Sequence, residues 1–176
     1  MKTCLIVVDY QNDFVDGALG FDGAAHIEAR IADTIDHVRQ MGGDIVFTMD
    51  THDDDYLTTE EGKNLPVPHC VKGTIGHQLR PKIAAKKHDE DAVFEKPTFP
   101  SFDVAAYLKK GQYDLVKLVG LVSNICVISN AIMAKAALPN AKIVVDTAAI
   151  ASFDANLHEK ALDVMEGLHI HLENRG

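Results

Sequence analysis

The chain has 176 residues, 47% of them hydrophobic and 24% charged, enough to bury one sizeable core and giving no reason to divide residues 1–176 into more than a single domain. Asp and Glu number 26 against 17 Lys and Arg, a net charge of −9 that argues against nucleic acid or an anionic membrane as partner. Three cysteines without framework spacing, a start that runs straight into a strand, and no apolar run near the roughly 20 residues that span a bilayer predict a cytoplasmic protein.

Cys4 to Val8 is an uninterrupted apolar run of strand length, ended by Asp9. Gly17, Gly20 and Gly23 punctuate the loop that follows. From Ala24 to Met41 the residues Ile27, Ile31, Ile35 and Val38 recur at helical spacing, and Gly42-Gly43 closes that helix. Ile45 to Met49 is a second strand, ended by Asp50. A long polar loop runs to His69, and Thr74 to Ala85 reads as a helix broken at Pro81. Ala92 to Phe94 is a short third strand leading into Glu95-Lys96-Pro97. Ser101 or Asp103 caps a helix that reaches Lys110, with Gly111 at its end.

Leu115 to Val119 is a fourth strand, followed by the tight stretch Gly120 to Val127 and an Ala-rich helix from Ile128 to Leu138. Pro139-Asn140 breaks that helix. Ile143 to Val145 is a fifth strand, ended by Asp146. Asp154 to Glu166 is a helix with Leu157, Ala161, Leu162 and Met165 on one side, and His169 to Leu172 is a sixth strand.

Apolar strands alternating with helices predict an α/β fold: a doubly wound, mainly parallel six-stranded sheet with helices on both faces. Right-handed crossovers then bring the carboxyl ends of the strands to one edge, where ligands bind. Asp9, Asp50, Lys96 and Cys126 all follow strands and so share that rim.

Cys126 is the candidate nucleophile. At the start of a helix its thiol meets the positive end of the dipole, which favours thiolate, and the turn's spare N–H groups can hold an oxyanion. A lone cysteine among apolar residues is equally at home as a small core residue. Asp9, behind four apolar residues, is a general base for the thiol. Lys96, hemmed in by Pro97, Phe99 and Phe102, is a cation that would hold both partners and favour thiolate.

A second cluster is Asp50-Thr51-His52, Glu60-Glu61 and His69. Carboxylates and imidazoles in this number suit a divalent metal with open positions, although ordinary loop polars read the same way. Histidines 26, 37, 77, 88, 158, 169 and 171 show no ligand spacing.

The stretches Val8-Asp9-Tyr10-Gln11-Asn12-Asp13-Phe14, Asp50-Thr51-His52, Pro68-His69-Cys70-Val71-Lys72-Gly73-Thr74, Lys96 to Phe102 and Gly120 to Val127 resemble, in order and over nearly the whole chain, the isochorismatase-like cysteine hydrolases. Within these, the nicotinamidase/pyrazinamidase branch is the nearer match. The resemblance implies that family's hydrolase fold, a triad of Asp9, Lys96 and Cys126, and a non-proline cis peptide at Leu121–Val122 that directs the Val122 N–H, with that of Cys126, at the oxyanion. It implies Asp50, His52 and His69 as metal ligands with Glu61, rather than Glu60, as the fourth. The metal would be zinc first, with manganese or iron as alternatives.

Phe14 and Gln11 would meet the substrate, a small planar carboxamide, with nicotinamide going to nicotinate and ammonia through a Cys126 thioester. The resemblance also implies a homo-oligomer. Hydrolysis of a carbamoyl or ureido amide, action on an isochorismate-like ether, and a catalytically silent binding module are the alternatives. Two departures stand out. Ser123-Asn124 replaces the usual Thr-Asp, and Pro66 and Val67 stand where many nicotinamidases carry an aromatic, in a chain with no tryptophan.

Overall fold

Six apolar segments build one sheet in the computed structural model, which describes residues 1–175. The strands are β1 (Thr3–Val8), β2 (Asp44–Asp50), β3 (Ala92–Lys96), β4 (Leu115–Leu121), β5 (Lys142–Ala151) and β6 (His171–Glu173). Their order is β3-β2-β1-β4-β5-β6 and every pairing is parallel. The chain winds outward from β1 to β3, then restarts at β4 on the other side of β1. That reversal leaves a crevice between the carboxyl ends of β1 and β4, where open parallel sheets bind ligands.

The helices are α1 (Asn12–Val15), α2 (Glu28–Gln40), α3 (Glu60–Asn64), α4 (Pro81–Ala84), α5 (Phe102–Gly111), α6 (Ile128–Ala137) and α7 (Ala155–Gly167). Side chains alternate across a strand, so β1 feeds two cores. Leu5 and Val7 pack with Ile31, Ile35 and Val38 of α2 on one face. Cys4, Ile6 and Val8 pack with Leu108 of α5, Ala131 of α6 and Met165 of α7 on the other. No residue of β1 from Cys4 to Val8 is exposed at all, which is why this run carries no polar side chain. Ser101 Oγ accepts the Val104 N–H at 3.2 Å and starts α5, and Asp154 Oδ1 accepts the Leu157 N–H at 2.9 Å and starts α7.

The predicted helix over Thr74–Ala85 shrinks to α4. Arg80 sits at φ −53° and ψ 133°, the extended backbone that a following proline imposes, so Pro81 begins a helix and does not interrupt one. The long polar loop contains a short turn at Tyr56–Thr58 and then α3, whose Gly62 N–H is capped by Thr59 Oγ1 at 3.0 Å. Such short elements lack the periodicity that makes longer helices legible. Strands β2, β3, β4 and β5 run further than their apolar cores, and β5 continues through Asp146, where an end was predicted, to Ala151. Asp50 and Lys96 are therefore the last residues of strands and are paired across β2 and β3.

Candidate active site

Asp9 leaves β1 with φ 45° and is fully buried. Thr48, which faces Val8 across the sheet, donates its hydroxyl to Asp9 Oδ1 at 2.6 Å. Lys96 ends β3 two strands away and reaches back beneath β2. Its Nζ lies 2.6 Å from Asp9 Oδ2, donates to the Thr98 carbonyl at 3.0 Å, and stands 3.6 Å from Cys126 Sγ. The same ammonium is 3.6 Å from Asp50 Oδ1. One buried cation is thus shared by two carboxylates and a sulfur that are far apart in sequence.

Cys126 sits in a wide, π-type turn, Ser123–Val127, that joins β4 to α6. The Val122 carbonyl accepts the N–H groups of Ile125 at 3.2 Å and Val127 at 3.1 Å, which wraps the turn around the sulfur. The Leu121–Val122 peptide is cis. Gly120, at φ 116°, passes so close to β1 that a Cβ there would collide with the Val8 backbone. Asn130 Nδ2 fastens the turn from α6 by donating to the Cys126 carbonyl at 2.8 Å and to that of Phe99 at 3.0 Å.

The electrostatics correct one expectation. Burial pushes the Cys126 thiol well above its ordinary value, and the Lys96 charge, pulling the other way, does not overcome burial and the nearby Asp9 and Asp50 carboxylates. The sulfur therefore rests as a thiol. Burial likewise raises Asp9 against the pull of Lys96, making it a better proton acceptor than a surface aspartate. Burial opposes charge on Lys96 too, but the Asp9 and Asp50 carboxylates outweigh it, so the ammonium keeps its proton.

The second cluster assembles beside this one. His52 Nε2 and His69 Nε2 lie 3.1 Å and 3.2 Å from Asp50 Oδ2, and Glu61 Oε1 lies 3.7 Å and 3.6 Å from the same two nitrogens. These four donor atoms fall within 4.8 Å of one another. Glu60, one residue earlier on α3, is exposed and accepts from Asn64 instead. His69 donates Nδ1–H to the Val67 carbonyl at 2.8 Å, which leaves the Nε2 lone pair facing the cluster. Asp50 Oδ1 and Glu61 Oε2 are buried without a hydrogen-bond partner. Two imidazole nitrogens, two carboxylates and orphaned oxygens fit a divalent cation of borderline hardness. Tyr56 braces the pair, its ring centroid 4.6 Å from that of His52 and 5.1 Å from that of His69.

Both clusters open into one cavity of about 350 Å³, bordered by Cys126, Val122, Asp50, Glu61 and His69 and walled by Phe14, Leu19, Leu65, Phe99, Ile125 and Phe153. Phe14 stands edge-on to His69 with ring centroids 5.6 Å apart. Gln11 does not border the cavity. Its Nε2 donates to the carbonyls of Asp50 and His77, both at 2.8 Å, and its Oε1 accepts the Asp50 N–H at 2.8 Å, so nothing of this amide is left for a substrate. The expected ligand contact is instead a brace behind the metal-side carboxylate. Thr48, Leu65 and Phe153 were not legible as site residues from the sequence. Only Thr48 carries a signal, its register opposite the residue before Asp9.

A family model described as the isochorismatase domain matches residues 3–172. An isochorismatase-family protein of Bacillus subtilis is 33% identical over 174 residues, covering 92% of this chain and 93% of that protein. The crystal structure of a nicotinamidase from Bacillus subtilis superposes with a TM-score of 0.87 at 30% identity, covering 99% of this chain and 100% of that one. The fold is shared as well with a pyrazinamidase of Pyrococcus horikoshii solved in complex with zinc, at TM-score 0.87 and 24% identity over 99% of this chain and 100% of the other. The matching model spans both clusters and the whole sheet but for Glu173 at the end of β6: this chain belongs to the isochorismatase family.

Proposed function

We propose that the chain hydrolyses small planar carboxamides, nicotinamide first, to the carboxylate and ammonia. The observation that carries this is Cys126 bordering a largely apolar cavity while, behind it, the Lys96 ammonium lies 3.6 Å from its sulfur and 2.6 Å from Asp9. The relatives named nicotinamidase support the choice of amide.

Because the thiol rests protonated, the sulfur becomes a nucleophile only as its proton leaves. Asp9 takes that proton while Cys126 Sγ bonds to the amide carbon and the carbonyl π pair moves onto oxygen. The N–H groups of Val122 and Cys126 receive that oxyanion. Asp9 returns the proton to the amide nitrogen, the C–N bond breaks and ammonia departs, leaving a thioester. A water deprotonated by Asp9 then adds to the thioester, and the sulfur leaves with that proton. Lys96 stays charged throughout, holds the Asp9 carboxylate in place and lowers the cost of negative charge on sulfur.

Asp50, His52, Glu61 and His69 would hold the divalent ion, zinc first, with manganese or iron compatible with the same donors. Bound there, it would supply a Lewis-acidic docking point for a ring nitrogen. Phe14 would guide the ring to it.

Of the rival substrates, isochorismate-like ethers and those carbamoyl or ureido amides that bear an acid carry carboxylates. The residues that border the cavity include no arginine or lysine to pair with one, and the acids Asp50 and Glu61 are among them. A neutral ring fits better. Residues 1–176 are read as one cytoplasmic domain, a reading supported by a single sheet that draws strands from Thr3 to Glu173 and by three free cysteines.

The test is ammonia release from nicotinamide by protein supplied in turn with zinc, manganese and iron. Turnover in none of the three retires the proposal.

A further inference from the structure

Phe153 has no part in the steps above, yet it borders the cavity together with Phe99 and Cys126 while its side chain is 60% exposed. A large aromatic surface left in water at the mouth of an apolar cavity gains by burial against an arriving ring.

Its position is held from both sides. Ser152 Oγ donates to Asn124 Oδ1 at 2.7 Å, tying the residue before Phe153 to the turn that carries Cys126. The Asp154 N–H donates to Ser152 Oγ at 3.0 Å, and Asp154 caps α7, tying down the residue after it. The ring meets Phe21 edge-on, with centroids 6.1 Å apart and planes at 79°. Phe21 belongs to the loop whose Ala18, Leu19 and Gly20 border the same cavity. Phe153 is therefore a fixed aromatic face, referenced to the nucleophile through Asn124 and propped by a second ring.

We infer that Phe153 receives the ring of the substrate and makes the site select aromatic over aliphatic amides, with Phe21 as its positioning residue. This rests on the amide hydrolysis proposed above and extends it by naming the residue that selects. It also accounts for a wall with no tryptophan and with Pro66 and Val67 ahead of His69: an aromatic face comes instead from the segment after β5.

The chain has no tryptophan, so Phe153→Trp places a single indole at the mouth. Titrating nicotinamide into that variant quenches the indole saturably, and acetamide over the same range does not. In steady-state assays Phe153→Ala raises KM for nicotinamide about tenfold with kcat changed less than about twofold. Phe21→Ala gives a smaller rise in KM, and the double variant rises no further than Phe153→Ala. Met41→Ala, at a residue 75% exposed and away from the cavity, leaves KM unchanged.

Absence of quenching together with an unchanged KM in Phe153→Ala overturns the inference, and ammonia release by the unaltered chain would still leave hydrolysis standing. A loss confined to kcat also overturns it, since Phe153 would then act on the Cys126 turn and not on the ring. Quenching by nicotinamide in a chain that releases no ammonia would retire the hydrolysis and keep the ring site.

Discussion

Gln11 holds Asp50 with both ends of its side-chain amide, donating to the Asp50 carbonyl and accepting the Asp50 N–H, each at 2.8 Å. A residue just past the central strand thereby fixes the backbone of a carboxylate that belongs to the second cluster. Asp50 in turn lies 3.6 Å from Lys96, so the brace also bears on the cation that serves Asp9 and Cys126.

Gln11→Leu should lower the affinity for a divalent ion by about 10–100-fold, the usual penalty for removing support behind a ligand. Leaving the Asp50 peptide groups buried and unpaired should cost a further 1–3 kcal/mol or so of stability. Zinc competition against a colorimetric chelator reads the first and urea unfolding the second. An affinity equal to that of the unaltered chain would show that Gln11 does not support the ligand.

Lys96→Met should destabilise the fold by about 3–5 kcal/mol, because it strands the Asp9 and Asp50 carboxylates in a buried site without their shared cation. Ammonia release should fall with it. Denaturant unfolding with and without metal checks the stability term, and a variant as stable as the original would mean that the carboxylates find another partner.

Burial raises all three thiols, but Cys126 alone borders the cavity and has Asp9 at hand to take its proton, while Cys4 and Cys70 are wholly enclosed. A small neutral alkylating reagent at neutral pH should therefore mark Cys126 first, and Cys4 and Cys70 only under unfolding conditions. Peptide mapping by mass spectrometry after graded exposure gives the order. Marking of Cys70 ahead of Cys126 would contradict the cavity geometry.

Asp146, buried in β5, supplies a pH-dependent contribution away from the active site. Burial pushes its carboxyl up, but Asn174 at 2.8 Å, Lys117 at 3.4 Å and Arg30 at 2.9 Å outweigh burial and hold it below its ordinary value of 3.8. With the folded pKa below the unfolded one, the ionised group stabilises the fold above the unfolded value, and that contribution disappears as pH falls through the folded value. Asp146→Asn should therefore be less stable than the original at neutral pH and approach it in acid below about pH 4. Thermal unfolding over that range tests the sign; a gap that widens in acid would reverse it.

Local chemistry made much of the fold readable. Runs such as Cys4–Val8 and Leu115–Val119 are apolar throughout because both faces of a parallel sheet are covered, and Ser101 and Asp154 announce helix starts because their oxygens take up free N–H groups. Glu61 could be preferred to Glu60 only through resemblance. What separates them in space is the way α3 closes on the Tyr56 turn at Gly62, where a Cβ would strike the Tyr56 backbone. A helix of five residues leaves too little pattern to show which of its sides faces in.

The order of strands and helices, and the placing of Asp9, Asp50 and Lys96 at strand ends and of Cys126 between a strand and a helix, were determined by the sequence alone, since hydrophobic period and chain breaks are local properties. Tertiary structure decided the rest: that Gln11 turns to a backbone and not to a ligand, that Phe153 stands at the cavity mouth, and that Cys126 keeps its proton. Each of these depends on distances between segments and on how much water is excluded there, and both quantities exist only once the chain has closed on itself.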